Sequence, residues 1–205
     1  MKILIGTPIH ESKDYCMKRW LDSVAKLIQK SPTDLLLVDN TPGINYAEKV
    51  GSYCKKLGLS PAIKHLEFDP NMEPDERISR SREEIRQYVL KNNYDAWFSW
   101  ESDQIIPPDA LIKLSKIMES GKYNIVHPNS WDRVMPGEPD ISFGVCLISK
   151  ESLEKFGFLL EFSLEPGSPK AWNNGDVWFK KKVLKGGGSY IEVYGLIKPI
   201  IHLNE

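Results

Sequence analysis

Ala96-Trp97-Phe98-Ser99-Trp100-Glu101-Ser102-Asp103 runs from a nearly continuous apolar stretch straight into two carboxylates. A strand without polar alternation is buried on both faces, as in a parallel sheet covered by helices. Side chains two apart on a strand share a face. If this strand continues past Trp100, Glu101 and Asp103 project together from its carboxyl end, with Pro107-Pro108 blocking further extension. Two adjacent carboxylates repel unless a positive charge lies between them. Two readings are open here: a divalent metal with a phosphate attached, or an acidic strand exit facing water.

The sequence around this stretch alternates strand and helix. Residues 2–6 read as a first apolar strand. A helix follows over 15–30, where Met17, Trp20, Leu21, Val24, Leu27 and Ile28 keep helical spacing. Asp-Leu-Leu-Leu-Val at 34–38 is a second buried strand, ended by the turn formers Asp39-Asn40-Thr41-Pro42-Gly43. A helix over 46–57 and a strand near 62–68 come next. Pro74, with Asp75 and Glu76 behind it, starts a helix that runs to about Lys91. The strand at 96–100 then leads to a helix over 108–118. After Gly121 the pattern shifts to short strands at 124–127, 142–149, 189–193 and 197–203, with a helical stretch at 177–184. The expected architecture is α/β: a mixed, mainly parallel sheet with helices on both faces. The late strands extend the same sheet with some antiparallel pairing, so residues 1–205 form a single domain.

Bulk properties narrow the class. The chain has 205 residues, 41% of them apolar, and a net charge of −1, which suits one folded domain and no generic nucleic-acid binding. No apolar run is long enough to cross a bilayer. The amino terminus reaches Pro8 and His10 too early for a signal peptide. Cys16, Cys54 and Cys146 are odd in number and lack a CxxC pair, which points to a reducing compartment and a cytoplasmic setting. Cys146 lies in an apolar run and reads as a small core residue.

Ligands of open α/β sheets bind outside the carboxyl ends of the strands. Three such ends here carry polar groups: Thr7-Pro8, Asp39-Asn40 and Glu101-Ser102-Asp103. Their convergence on one edge favours a pocket over a chance acidic loop. Arg82 falls on the stripe formed by Ile78, Ile85 and Val89, so it either snorkels to water or pairs with Glu101, Asp103 or a bound diphosphate. Asp176 begins a helical stretch and reads as a cap or as a site residue. His10, His65, His127 and His202 show no metal-binding spacing, and taken alone they read as structural.

In their order these segments resemble the GT-A glycosyltransferases, in particular family 2-like members. Val38-Asp39-Asn40-Thr41 resembles the loop whose Asp contacts the nucleobase or ribose. Glu101-Ser102-Asp103 followed by Pro107-Pro108 resembles the DxD loop, with Arg82 where an arginine precedes it. Ser142-Phe143-Gly144-Val145-Cys146-Leu147-Ile148 resembles the strand beside the acceptor site. Gly175-Asp176-Val177-Trp178-Phe179 is similar to the stretch that bears the catalytic base of inverting members, and His202-Leu203 to a terminal histidine that joins the metal shell in some. The sequence departs from the pattern at Glu101, Gly175 and Trp178, where the family has Asp, an acid and Asp.

The resemblance implies a nucleotide-binding half at 1–120 and an acceptor-binding, catalytic half at 121–205. The expected donor is a nucleotide-diphosphate sugar held by Thr7, Pro8, Asp39, Arg82, Glu101, Ser102 and Asp103. It implies Mn²⁺ or Mg²⁺ on Asp103, Glu101 and His202, and Asp176 as the base for a glycan, lipid or protein acceptor. Trp131, Trp172 and Trp178 could offer flat surfaces to an acceptor sugar. Two alternatives belong to other classes. A nucleotidyltransferase would carry GxGxR after the first strand, where this chain has Gly6-Thr7-Pro8-Ile9-His10. A non-catalytic nucleotide-sugar or carbohydrate-binding module would not need Asp176.

Overall fold

In the computed structural model, which describes residues 1–128, 144–159 and 174–204, strand β1 (Ile3–Ile9) enters helix α1 (Asp14–Lys30) through a 3₁₀ turn at Glu11–Lys13. Then come β2 (Asp34–Asp39), α2 (Asn45–Lys56), β3 (Ala62–His65), α3 (Pro74–Lys91) and β4 (Ala96–Trp100). The chain continues through β5 (Gln104–Ile105), α4 (Ala110–Glu119), β6 (Ile125–Pro128), β7 (Val145–Ser149) and α5 (Lys150–Lys155). It closes with α6 (Asn174–Lys185), β8 (Tyr190–Val193) and β9 (Ile201–His202). At 174–177 only the backbone is described.

A seven-stranded sheet runs in the order β3-β2-β1-β4-β7-β6-β8, and β7 is its antiparallel member. The mixed, mainly parallel α/β sheet expected from the sequence is therefore present. Period-two alternation divides its core. Ile3, Ile5 and Ile9 of β1, Leu35 and Leu37 of β2, and Phe98 and Trp100 of β4 face α1, α2 and α4. Leu4, Leu36, Val38 and Trp97 face the opposite way, against Ile85 and Val89 of α3, Leu153 of α5 and Phe179 of α6. Cys146 packs there too, fully buried. Each buried Leu or Ile contributes about 1.5–3 kcal/mol, so the two layers fix which way every strand residue points.

α1 shows how the stripe builds one layer: Met17, Trp20, Leu21, Val24 and Leu27 are all buried on one face. α3 starts as its sequence predicts, with Pro74 in the first turn and Asp75 and Glu76 beside the free N–H groups. It crosses the sheet closely at Gly6, where an added Cβ would lie 2.7 Å from the Trp97 indole nitrogen and collide with Ile85. Glycine at this position lets α3 sit down on β1.

Two strands differ from expectation. Strand β1 is longer than residues 2–6, because Thr7 and Pro8 still pair with Leu37 and Val38. Proline fits because the β1–β4 ladder already ends at Gly6 and Ser99, so its missing N–H falls where no partner strand runs. The other difference is β9, which does not join the main sheet. It pairs with β5 in a separate ribbon, Gln104 opposite His202 and Ile105 opposite Ile201. Pro199 cannot donate to a ladder, so pairing starts only after it. The short helix α5 follows β7 at once and had no sequence signal beyond Ser149, whose side chain caps it.

Candidate functional site

β1 is flanked by β2 on one side and β4 on the other, so successive connections leave it in opposite directions. Such a switch point opens a crevice at the carboxyl ends of the strands. The crevice here holds about 330 Å³, between the ends of β1, β2 and β4 and the first turns of α3. A wider depression of about 440 Å³ lies elsewhere, against α1 and Ile105–Pro108. None of the residues expected at the site lines it, so the candidate site is the smaller crevice.

Strand parity brings one residue from the end of each of three strands into the crevice, and Ile9 reaches it at the very end of β1. Pro8, Asn40 and Ser99 continue the rows of Leu4, Val38 and Trp97, on the α3 side, and all three line it. Thr7 and Asp39 continue the opposite rows and are fully buried behind it. The Thr7 hydroxyl donates to the Trp100 carbonyl at 2.8 Å, tying β1 to β4 just beyond their ladder. One carboxylate oxygen of Asp39 accepts from the Thr41 backbone N–H at 3.1 Å and the other meets His65 Nδ1 at 2.8 Å. Of the two neighbours, Asn40 rather than Asp39 faces the crevice. Its amide nitrogen donates to Ser81 Oγ at 3.0 Å, binding the β2 loop to α3.

Glu101-Ser102-Asp103 is a turn rather than a strand extension, with the Gln104 N–H donating to the Glu101 carbonyl at 3.2 Å. The two acids therefore reach the crevice by a bend, not by strand parity. The turn is firmly anchored. The Trp100 indole N–H donates to the Gln104 carbonyl at 2.8 Å, and the Leu203 N–H to the Asp103 carbonyl at 2.7 Å. Arg82 is 8% exposed, and its guanidinium lies 3.6 Å from Glu101 Oε1. Pairing with Glu101, one of the open alternatives, is what the geometry gives. Ser102 is buried and also lines the crevice.

Asp103 carries two different environments on one carboxylate. Oδ2 accepts from Lys13 Nζ at 2.8 Å. Oδ1 is buried without a hydrogen-bond partner, and His202 Nε2 stands 3.6 Å from it. The β5–β9 ribbon makes this meeting, since it puts Gln104 opposite His202. An orphaned carboxylate oxygen beside an imidazole nitrogen fits the oxygen and nitrogen donors that Mn²⁺ accepts. Glu101 is turned toward Arg82 instead, and among the described residues no three acids, histidines or cysteines gather around one point. The described residues thus offer two donors rather than the three expected.

Lys13, Arg77 and His10 also line the crevice, and sequence reading missed them. Burial lowers the Lys13 pKa, but the hydrogen bond and charge of Asp103 outweigh it and hold the group above the ordinary lysine value. Burial pushes His10 below the usual imidazole range, with Arg77 adding to the effect. Asp176 lies in the first turn of α6, and its side chain is outside the described residues, as are Trp131, Trp172 and the 142–143 end of the expected acceptor strand.

His65 spans the sheet edge, with Asp39 on Nδ1 and Glu67 Oε2 at 3.0 Å from Nε2. The hydrogen bond to Glu67, then that to Asp39, raises its pKa against the opposing effect of burial. A value raised on folding stabilises fully below about pH 6.5 and is lost as pH rises through the folded value. Melting temperature should therefore fall as pH rises above about 6.5. His65→Asn keeps a donor toward Asp39 but cannot titrate, so its profile should be flatter. Parallel profiles for the two proteins would assign the slope to other groups.

No protein-family model matches this chain, and neither does any curated protein sequence. Solved structures do match in shape. TarS of S. aureus superposes with a TM-score of 0.70 at 14% identity, over 100% of this chain and 37% of its own. The mannosyltransferase PcManGT of Pyrobaculum calidifontis, in complex with GDP-Man and Mn²⁺, gives 0.69 at 12% identity, over 95% of this chain and 55% of its own. A protein of Desulfovibrio desulfuricans G20 assigned as a nucleotide-diphospho-sugar transferase gives 0.55 at 12% identity, over 95% and 80%. The chain thus spans little more than a third to a half of the first two. No helix among the described residues is long and apolar enough to cross a membrane. The chain has the GT-A-type fold of the nucleotide-diphospho-sugar transferases.

Proposed function

We propose that this chain transfers a sugar from a nucleotide-diphosphate donor to an acceptor hydroxyl, aided by Mn²⁺ or Mg²⁺ and with inversion at the anomeric carbon. The observation that carries the reading is the crevice at the β1–β4 switch point, where a buried Asp103 oxygen without a partner faces His202 beside an Arg82–Glu101 pair. Residues 1–120 would form the donor half and 121–205 the acceptor half.

In this reading the base and ribose lie along Pro8, His10 and Asn40, with Asp39 and Thr7 holding those loops from behind. The diphosphate lies toward Arg82, Ser102 and Asp103. Asp103 and His202 would hold the divalent ion, which when bound neutralises charge on the departing diphosphate. Arg82 orients Glu101 and offers its guanidinium to the same phosphates. Asp176, at the start of α6, takes the proton from the attacking hydroxyl. A glycan, lipid or protein surface presents that hydroxyl. The Mn²⁺ and GDP-Man bound by PcManGT support the donor class.

Incubation with UDP- and GDP-linked sugars and Mn²⁺ tests this: nucleoside diphosphate should be released, faster with acceptor than by hydrolysis alone. Release of pyrophosphate instead would identify a nucleotidyltransferase, and binding without turnover a binding module. Arg82→Met should keep the fold, because its stem packs alike, yet weaken donor binding by about 10- to 100-fold, the worth of a charged hydrogen bond. Lys should rescue only part, lacking the planar fork. Calorimetry showing unchanged donor affinity in Arg82→Met would leave the arginine a role in holding Glu101 alone.

A further inference from the structure

We propose that Lys13 is a second cation for the donor diphosphate, carried by the chain and released from Asp103 when a divalent ion arrives. The inference rests on the donor reading above and extends it to a residue outside every motif in the sequence. Lys13 Nζ lies 2.8 Å from Asp103 Oδ2, with side-chain exposures of 39% for the lysine and 6% for the aspartate. The ammonium therefore meets solvent at the crevice while its partner is enclosed.

Charge balance gives the pairing a second meaning. Among the described residues that line the crevice, Lys13, Arg77 and Arg82 stand against Glu101 and Asp103, so positive charge is in excess there before any metal enters. An excess of this sign suits an anion. The two Asp103 oxygens are also divided: Lys13 holds Oδ2, and the orphaned Oδ1 faces His202. A divalent ion at Oδ1 would draw on the same carboxylate charge and repel the ammonium. Lys13 sits on the 3₁₀ turn Glu11–Lys13 rather than inside a helix. Its flexible stem can swing the ammonium a few ångströms to a phosphate, where a rigid guanidinium would be harder to redirect. Lysine and metal thus share one aspartate in the empty site and share the diphosphate in the filled one.

Two consequences have opposite signs, which separates this role from a structural one. Calorimetry with UDP and GDP in EDTA should show residual binding to the wild type, and Lys13→Met should weaken it by about 10- to 100-fold. Lys13→Arg should restore only part of the loss, because it keeps the charge but redirects it less readily. Mn²⁺ alone should bind Lys13→Met roughly tenfold tighter, because it no longer displaces an ammonium from a buried carboxylate. The half-exposed stem makes misfolding from Lys13→Met unexpected, and Lys13→Gln gives the same test with a polar side chain. Tighter Mn²⁺ with unchanged nucleotide affinity in EDTA would overturn the proposal, leaving Lys13 a counter-ion of Asp103 only. A wild type that binds UDP or GDP solely with Mn²⁺ would overturn it too, while the donor reading stands. If the wild type binds neither nucleotide under either condition, the donor reading and this inference fall together.

Discussion

Asp103→Asn is expected to remove the metal-dependent share of nucleotide binding and to lower turnover by about 10²–10³-fold, the usual loss when an electrostatic stabiliser of developing charge is deleted. The substitution keeps size and shape, so packing around the turn persists. The backbone carbonyl of Asp103, which accepts from the Leu203 N–H, is untouched, and so is the Trp100 indole bond to Gln104. What disappears is the negative charge that faces His202 on one oxygen and Lys13 on the other. Lys13 is exposed enough to be rehydrated when its partner becomes neutral, so stability should change by less than about 1 kcal/mol. Calorimetric titrations of UDP and GDP with Mn²⁺ and with EDTA read the first effect, and nucleoside diphosphate release reads the second. Wild-type protein with equal nucleotide affinity in Mn²⁺ and EDTA would remove the metal from the mechanism.

The sequence announced the sheet clearly because burial on both faces leaves an unmistakable record. Leu35, Leu36, Leu37 and Val38 are all buried, as are Trp97, Phe98 and Trp100, so the apolar runs identified β2 and β4 without any tertiary knowledge. Arg82 was legible for a similar reason. A charge on an apolar stripe demands a partner, and Glu101 is in reach of its guanidinium.

Asp39 and Asn40 show how the same rules can be carried too short a distance. Asp39 follows Leu35 and Leu37 on one side of β2, and Asn40 follows Leu36 and Val38 on the other. Counting by twos from the core would have sent Asp39 behind the sheet and Asn40 into the crevice, as observed. The Glu101–Asp103 pair failed the count for the opposite reason: the strand ends at Trp100, and a turn replaces parity. Nothing local marked Lys13 or the β5–β9 ribbon. Both depend on contacts about ninety residues or more apart in sequence, Lys13 with Asp103 and Gln104 with His202, which no window of periodicity can see.

Asp176→Asn should leave donor binding unchanged and cost at most about 1 kcal/mol of stability while turnover falls by about 10²–10⁴-fold, the contribution of a general base. The test works because the two roles open to this residue require different chemistry. Asp176 lies in the first turn of α6, where an acid favours the free N–H groups and the positive end of the helix dipole. Asparagine keeps the size but not the charge, so a purely structural role would cost about 0.3–1 kcal/mol of stability and leave turnover intact. An amide cannot take a proton from the acceptor hydroxyl, so a catalytic role is lost. α6 is held to the sheet by Phe179 and Val183, both buried in the layer that α3 covers. If Asp176→Asn transfers sugar at a near-wild-type rate to the true acceptor, the residue only steadies the first turn of α6. Glu165 and Asp140 would then be the next acids to replace. The anomeric configuration of the product separates that outcome from a retaining reaction, because single displacement inverts it and a double displacement does not.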